Sequence, residues 1–389
     1  TFSLHNTTKN LAFSSNLHFD KLKINYKDIG DGELKSEYNN EDKYLYLDGY
    51  TSLGIPNPLG EKLKNIVFSG YYYLNKTEES LDISIEAQPA NLTLLNPYLE
   101  GIMTLNKGLV TGKGKITGTP EKPTINGKFK IVKCELKVDF LNVVYNLSGD
   151  IEVYPDQISF QEVKITDDVN KKFYPGEING NIFHTNFKNM QIDYDINFKN
   201  MLILNKPNNG TDPFYGKAYA SGRAGIYGFF NNIAMDIKVK TEKGTVFTIP
   251  LDGPAQISEN DFIRFVKKDT IKKKEEEHKS GFTLDMTVQA TPDAEIQIVL
   301  DAKSGDIIRA RGKGDIDLRI SNMGKFDMFG EYVISSGDYL FTLENFITKK
   351  FEIQKGSTIN WGGSPYAAEI DIAANYKQLS PLADAAFAT

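Results

Sequence analysis

Cysteine occurs once in 389 residues, at Cys134, so no internal disulfide and no Cys-x-x-Cys centre is available. Histidine is nearly as scarce, and His5, His18, His184 and His278 are dispersed without metal-ligand spacing. No apolar run approaches the ~20 residues of a membrane-spanning helix. The opening TFSLHNTTKN lacks the basic start and apolar core of a signal peptide, and the chain is expected to be a piece of a longer protein. Neither sign of charge dominates: 45 Lys and Arg against 51 Asp and Glu leave −6. That balance excludes a general attraction to nucleic acid or to anionic membrane surfaces.

Helical signals are also few. Residues 92–100, LTLLNPYLE, suggest a short helix interrupted by Pro97. Residues 258–268, SENDFIRFVKK, place Ser258 as an N-cap before Phe262, Phe265 and Val266 at helical spacing. The run 267–280 carries blocks of both charge signs and reads as a solvated surface loop.

What fills the chain is alternation. In GFTLDMTVQA, residues 281–290, Phe282, Leu284, Met286, Val288 and Ala290 alternate with Thr283, Asp285, Thr287 and Gln289. Successive strand side chains point to opposite faces, so one face is apolar and the other wet. The same period recurs in LDISIEAQ (81–88), MQIDYDINFK (190–199), AEIQIVLD (294–301), IRARGKGDIDLRI (308–320) and around Ala368, Ile370 and Ile372. Gly, Pro, Asn and Asp punctuate the segments, as in Thr291-Pro292-Asp293. The pattern predicts roughly two dozen one-sided strands. No linkers divide them into separate sandwiches, which points to one long, curved, meandering sheet. At about 4.8 Å per strand, such a sheet would span on the order of 100 Å.

Chemistry finds little purchase. There is no G-x-S-x-G elbow, and Gly112-Lys113-Gly114 with Gly118 opens no helix, so a phosphate-loop reading fails its context. Carboxylates sit on the wet face. The composition argues against an enzyme and implies no cofactor.

Two stretches resemble a known family. GKITGTPEKPTINGKFKI (114–131) gives a strand, Gly-Thr, a turn at Pro123 and a second strand. More specific is 324–372: Gly330-Glu331-Tyr332, Gly337-Asp338-Tyr339-x-Phe341, Phe346, Lys350-Phe351-x-Ile353, Gly356-Ser357 and Trp361-Gly362 with Pro365. Asn205, Phe214-Tyr215-Gly216 and Gly244-Thr245-Val246-Phe247 with Pro250 fall in the same order. This succession resembles the C-terminal region of TamB proteins, across roughly residues 90–380, with 1–90 a looser match.

The resemblance implies an all-β, elongated, curved groove with an apolar interior and one or two short helices. It divides the chain into a weakly matched part, 1–90, and a continuous TamB-like region, 91–389. It implies the periplasm of a Gram-negative envelope, an inner-membrane anchor in the full-length protein that is absent here, and a TamA-type outer-membrane barrel as partner. Phospholipid transport and outer-membrane protein assembly are the two functions it carries. As a lipid conduit, the groove would be lined by Phe282, Leu284, Met286, Val288, Ile296, Ile298, Leu300, Ile316, Leu318, Ile320, Ile370 and Ile372. As an assembly module, the chain would offer a partner a strand edge around Tyr366, Glu369, Asp371 and Tyr376. A third outcome, in which the apolar residues pack into a closed core, is equally compatible with periodicity alone.

Overall fold

The computed structural model describes residues 2–7, 10–24, 27–56, 62–99, 103–167, 176–210, 212–251, 281–321, 325–343 and 347–377. These hold 23 strands, two 3-10 turns and a single four-residue α turn, so the chain is all-β. Residues 92–99 form the 3-10 turn Leu92–Leu95 and the α turn Asn96–Leu99 rather than a longer helix. The expected helix at 258–268 and the charged loop at 267–280 lie outside the described residues. Two compact units are present: residues 1–140, 144–196 and 226–230 make unit 1, and 141–143, 197–225 and 231–389 make unit 2.

Unit 1 is a meander. Its first strands are β1 (Phe2–Thr7), β2 (Asn10–Ile24), β3 (Lys27–Asn39), β4 (Tyr44–Pro56), β5 (Lys62–Tyr73) and β6 (Leu81–Asn91). They continue as β7 (Met103–Thr119), β8 (Lys122–Val138), β9 (Val143–Val153), β10 (Gln157–Asp167) and β11 (Gly176–Thr185). From β1 to β8 each strand pairs antiparallel with the next, and so do β9, β10 and β11. Short polar turns make this possible. Between β3 and β4 the Asn39 carboxamide oxygen accepts from the backbone N–H groups of Glu41 (2.8 Å) and Asp42 (3.0 Å), holding the chain in its reversal.

Four bulges in the strands of unit 1 share one form. Gln88-Pro89, Asn106-Lys107, Val132-Lys133 and Gln161-Glu162 are each a pair of exposed residues beside a register shift. A bulge adds one residue to one strand, bends it and increases its twist. Because two neighbours then face outward together, the inward set resumes on the apolar side: Ile131 and Cys134 are both buried around exposed Val132 and Lys133.

The strands β12 (Lys188–Lys206) and β13 (Tyr215–Phe229) contribute to both units. Unit 2 continues with β14 (Asn232–Thr241), β15 (Val246–Pro250), β16 (Gly281–Ala290), β17 (Glu295–Asp301), β18 (Asp306–Ser321) and β19 (Phe326–Leu343). It ends with β20 (Ile347–Ile353), β21 (Thr358–Gly363), β22 (Glu369–Asp371) and β23 (Ala374–Tyr376). Here the expected uninterrupted meander gives way. β14 runs parallel to β16, and β15 parallel to β17. Alternation has a period of two whichever way a strand points, so it could not reveal this.

Asn232 faces Gly281 and Val246 faces Glu295, the same offset of 49 residues. Hence β14 and β15 are two parts of one interrupted strand, as are β16 and β17. β18 accepts β16 along Gly314–Ser321 and β17 along Asp306–Ala310. The pairings therefore close a cycle of six strands, β13, β14, β16, β18, β17 and β15, but through two broken strands and not as a barrel. β19 repeats the arrangement, carrying both β20 and β21.

The breaks at residues 242–245, 291–294 and 354–357 are stitched by hydroxyls. Thr245 Oγ1 accepts from the Tyr219 N–H and donates to the Tyr219 carbonyl, both at 3.0 Å. Thr291 N–H donates to Thr241 Oγ1 at 2.9 Å, and the Ala373 N–H donates to Ser357 Oγ at 3.2 Å. Arg311 bridges the middle break through Glu295 Oε2 (2.9 Å) and the Asp293 carbonyl (3.2 Å).

This crease lets unit 2 fold over itself. Phe247 on β15 lies beside Ala310 of β18 through Ile296, while Phe326 pairs with Ile320 of the same strand. Ten residues of flat strand would separate those rows by roughly 33 Å. Yet the ring of Phe214 is 5.5 Å from Phe247 and 5.7 Å from Phe326. The apolar face has closed on itself, as strands that bend at breaks allow.

Two outcomes follow. Thr245→Val removes both buried stitches and should lower stability by about 1–3 kcal/mol in denaturant unfolding; an unchanged midpoint would mean the apolar core alone holds the crease. Hydrogen bonds from Gln297 and then Arg311 hold the Glu295 carboxyl below its ordinary 4.5. Its contribution is therefore fully present above 4.5 and is lost as pH falls through the lowered folded value. Glu295→Gln should flatten the acid limb of the stability profile.

Candidate functional site: the apolar face

The pairings of unit 1 align its inward residues in rows across β3 to β8. One row is Leu34, Gly49, Phe68, Ile85, Gly114 and Gly127; its neighbour is Ser36, Leu47, Gly70, Ile83, Ile116 and Ile125. The leucines, isoleucines and Phe68 in these rows are only half-buried. Among the described residues from 13 to 99, the buried ones are Gly, Ser and Asn alone, and no apolar side chain is covered. A sheet face that alternates this regularly yet remains half wet is unusual, because apolar surface costs about 25 cal/mol per Å² left in water.

Glycine keeps this face low. A Cβ at Gly49 would stand 2.6 Å from Phe68 Cζ, and one at Gly127 would stand 2.7 Å from Phe129 Cε2. Both rings lie across the bare backbone instead of rising from it. Farther along unit 1 the face is partly covered, with Leu105, Val110, Ile131, Val163, Ile165, Ile178 and Ile192 buried.

In unit 2 the face is largely a core. Ile334 and Ile359 are 0% exposed, with Tyr332, Ile249 and Ala310 close behind. Of the residues expected to line a groove, Leu284, Ile298, Ile316 and Ile320 are buried by the protein itself. Phe282, Met286, Val288, Ile296, Leu300, Leu318, Ile370 and Ile372 are half-buried. Register brings several together: Leu284 faces Ile320, Met286 faces Leu318 and Val288 faces Ile316. The opposite face carries Thr287 Oγ1 donating to Asp317 Oδ1 at 2.8 Å and Arg319 3.9 Å from Asp285.

The expected edge residues lie at the last described strands. Glu369 and Asp371 bound β22, which pairs with β21, and Tyr376 ends β23, which pairs with β20. Among the described residues no strand occupies their other side. Tyr366 stands outside the strands, on the 3-10 turn Pro365–Ala367. Glu369, Asp371, Tyr366 and Tyr376 are exposed, although the Tyr376 ring approaches Phe351 at 5.4 Å.

Elsewhere the reactive side chains are occupied or quiet. Burial pushes the Cys134 thiol up to about 11, which disfavours the nucleophilic thiolate. His184 is buried with its ring 4.4 Å from Phe187, and that burial lowers its pKa. No group of three metal-ligating side chains occurs among the described residues. The residues that sequence reading left unassigned are those of β3 to β6, above all Leu34, Leu47, Phe68, Ile83 and Ile85. Their signal was the same alternation.

The contrast between units is measurable. Ile334→Ala should cost about 2–5 kcal/mol in urea unfolding, as truncation of a filled core does. Ile85→Ala, on a half-exposed face, should cost well under half of that; equal losses would mean that β6 is as covered as β19.

A family profile for the TamB C-terminal domain matches residues 174–383, more than half of the chain. No curated protein and no solved structure matches it. The match contains the crease, the parallel junction and the terminal edge, and the chain belongs to the TamB family, which is associated with the Gram-negative cell envelope.

Proposed function

We propose that this chain is a non-enzymatic lipid-transfer segment whose apolar β-face holds phospholipid acyl chains between the inner and outer membranes. The carrying observation is the half-exposed face of β3 to β6, where no described apolar side chain is buried. Acyl chains would cover that face without hydrogen bonds or specific side chains, and headgroups would stay in water at its margins. The low floor made by Phe68 over Gly49 and by Phe129 over Gly127 leaves room above the sheet. The route is passive, since the face offers no group that turns over. In this reading the protein works in the periplasm and its full-length form is anchored in the inner membrane.

A second role is favoured by the free side of β22 and β23. Unpaired N–H and C=O groups on a short edge can accept a strand from a partner, and a TamA-type outer-membrane barrel is the partner this family placement suggests. One scaffold can dock at its edge and carry lipid on its face.

Photo-crosslinking in cells separates the readings. A photoreactive residue at Ile83 or Ile85 should capture phospholipid, and one at Ser84, on the other parity, should not. In unit 2, Met286 and Thr287 give the equivalent pair. Protein adducts without lipid at both parities would sink the lipid reading and advance the assembly role. In the same assay, Ile85→Asp should abolish lipid capture at Ile83.

A further inference from the structure

The outer face of unit 1 holds a cavity that the lipid reading does not use. Its volume is about 300 Å³, and Val132, Lys133, Asn146, Leu147, Ser148, Lys164 and Thr166 line it. Its shape follows from the bulge in β8. Ile131 pairs with Val110, Lys133 pairs with Leu109, and Val132 is left over, so Val132 and Lys133 both turn outward. The far wall is set by the β9–β10 register, in which Asn146 faces Thr166 and Ser148 faces Lys164.

Four lysines on the same face are paired: Lys128 lies 2.8 Å from Glu152, Lys115 2.9 Å from Asp82, Lys113 3.5 Å from Glu86 and Lys107 3.6 Å from Glu135. Lys133 and Lys164 have no carboxylate within 4 Å among the described residues. The nearest acid along β8, Glu135, is already held by Lys107 and by Asn106 Nδ2 at 3.0 Å. Two ammonium groups without a carboxylate within 4 Å thus border one cavity, together with two hydroxyls and a carboxamide; the acid nearest Lys164 in register is Glu177, opposite it on β11.

From this arrangement we infer an outer-face binding site for a phosphate ester. A carboxylate has two oxygens and one negative charge. A phosphate has more acceptor oxygens and, as a monoester near neutral pH, close to two charges, which matches two ammonium donors and the Ser148 and Thr166 hydroxyls. Lysine serves here as a mobile point charge that needs no fixed fork. Val132, 50% exposed, supplies an apolar ledge against which the organic part of the ester would rest. The same chemistry could come from a soluble phosphate ester or from a lipid headgroup. The site stands whether or not the apolar face carries acyl chains.

Calorimetric titration of the whole chain with glycerol 3-phosphate tests the soluble source. Flotation with phosphatidylcholine vesicles, with and without phosphatidic acid, whose headgroup is a phosphate monoester, tests the headgroup source. Lys133→Gln/Lys164→Gln should weaken whichever binding is seen at least tenfold, while Lys115→Gln should leave it unchanged. Both lysines are surface groups, and an unaltered thermal transition will confirm that the double variant folds. Binding should also weaken with added salt. Glycerol phosphate binding lost in the double variant assigns the soluble source, and vesicle binding lost in that variant assigns the headgroup. Absence of both, or binding indifferent to the two lysines, overturns the site.

Discussion

Each unit depends on keeping side-chain parity across its hydrogen-bonded strands. One residue of slip would turn an apolar row into the water and a charged row into the core. The bulges of unit 1 observe that constraint. Asn106-Lys107 in β7 adds a residue, and Val132-Lys133 in β8 takes the register back, so Leu105, Gly108, Ile131 and Cys134 remain on one side. The breaks of unit 2 observe it too, because the 49-residue offset before the break is restored after it. Bending and parity are reconciled by spending residues outward in pairs.

The same solution yields two different surfaces. In unit 2 the breaks align, hydroxyls of Thr245, Thr241 and Ser357 replace missing ladder bonds, and the face folds until Phe214 touches both Phe247 and Phe326. In β3 to β6 of unit 1 the rows of Leu34, Phe68, Ile83 and Ile85 stay half wet. Identical local patterns therefore give a filled core in one place and an uncovered face in another. The difference is made by where the bends fall.

This explains how far the sequence could be read. Strand identity and facing were legible, since Phe282 to Ala290 alternate as the structure has them. The exposed doublets were visible as well, in Ala87-Gln88-Pro89-Ala90 or Ile131-Val132-Lys133-Cys134, but they carry meaning only beside a neighbour's register. Burial of Leu284, Ile298, Ile316 and Ile320 was not legible, because a residue on an apolar face reads the same whether a second face covers it or not. Strand direction was equally hidden, and with it the parallel junction. The cavity at Lys133 and Lys164 needed coordinates, for its two walls come from strands some thirty residues apart.

The parallel junction also bears on how the chain acquires its form. Hairpins such as β7–β8 close loops of a few residues and can form within microseconds of one another. The pairing of Asn232 with Gly281 must close a loop of 49 residues, at a greater entropic cost. Until it forms, β14 and β16 each present an open edge, and both are apolar on one side. Newly made chain would thus pass through a stage in which a finished meander waits beside two unsatisfied strands, the arrangement most exposed to pairing with the wrong neighbour.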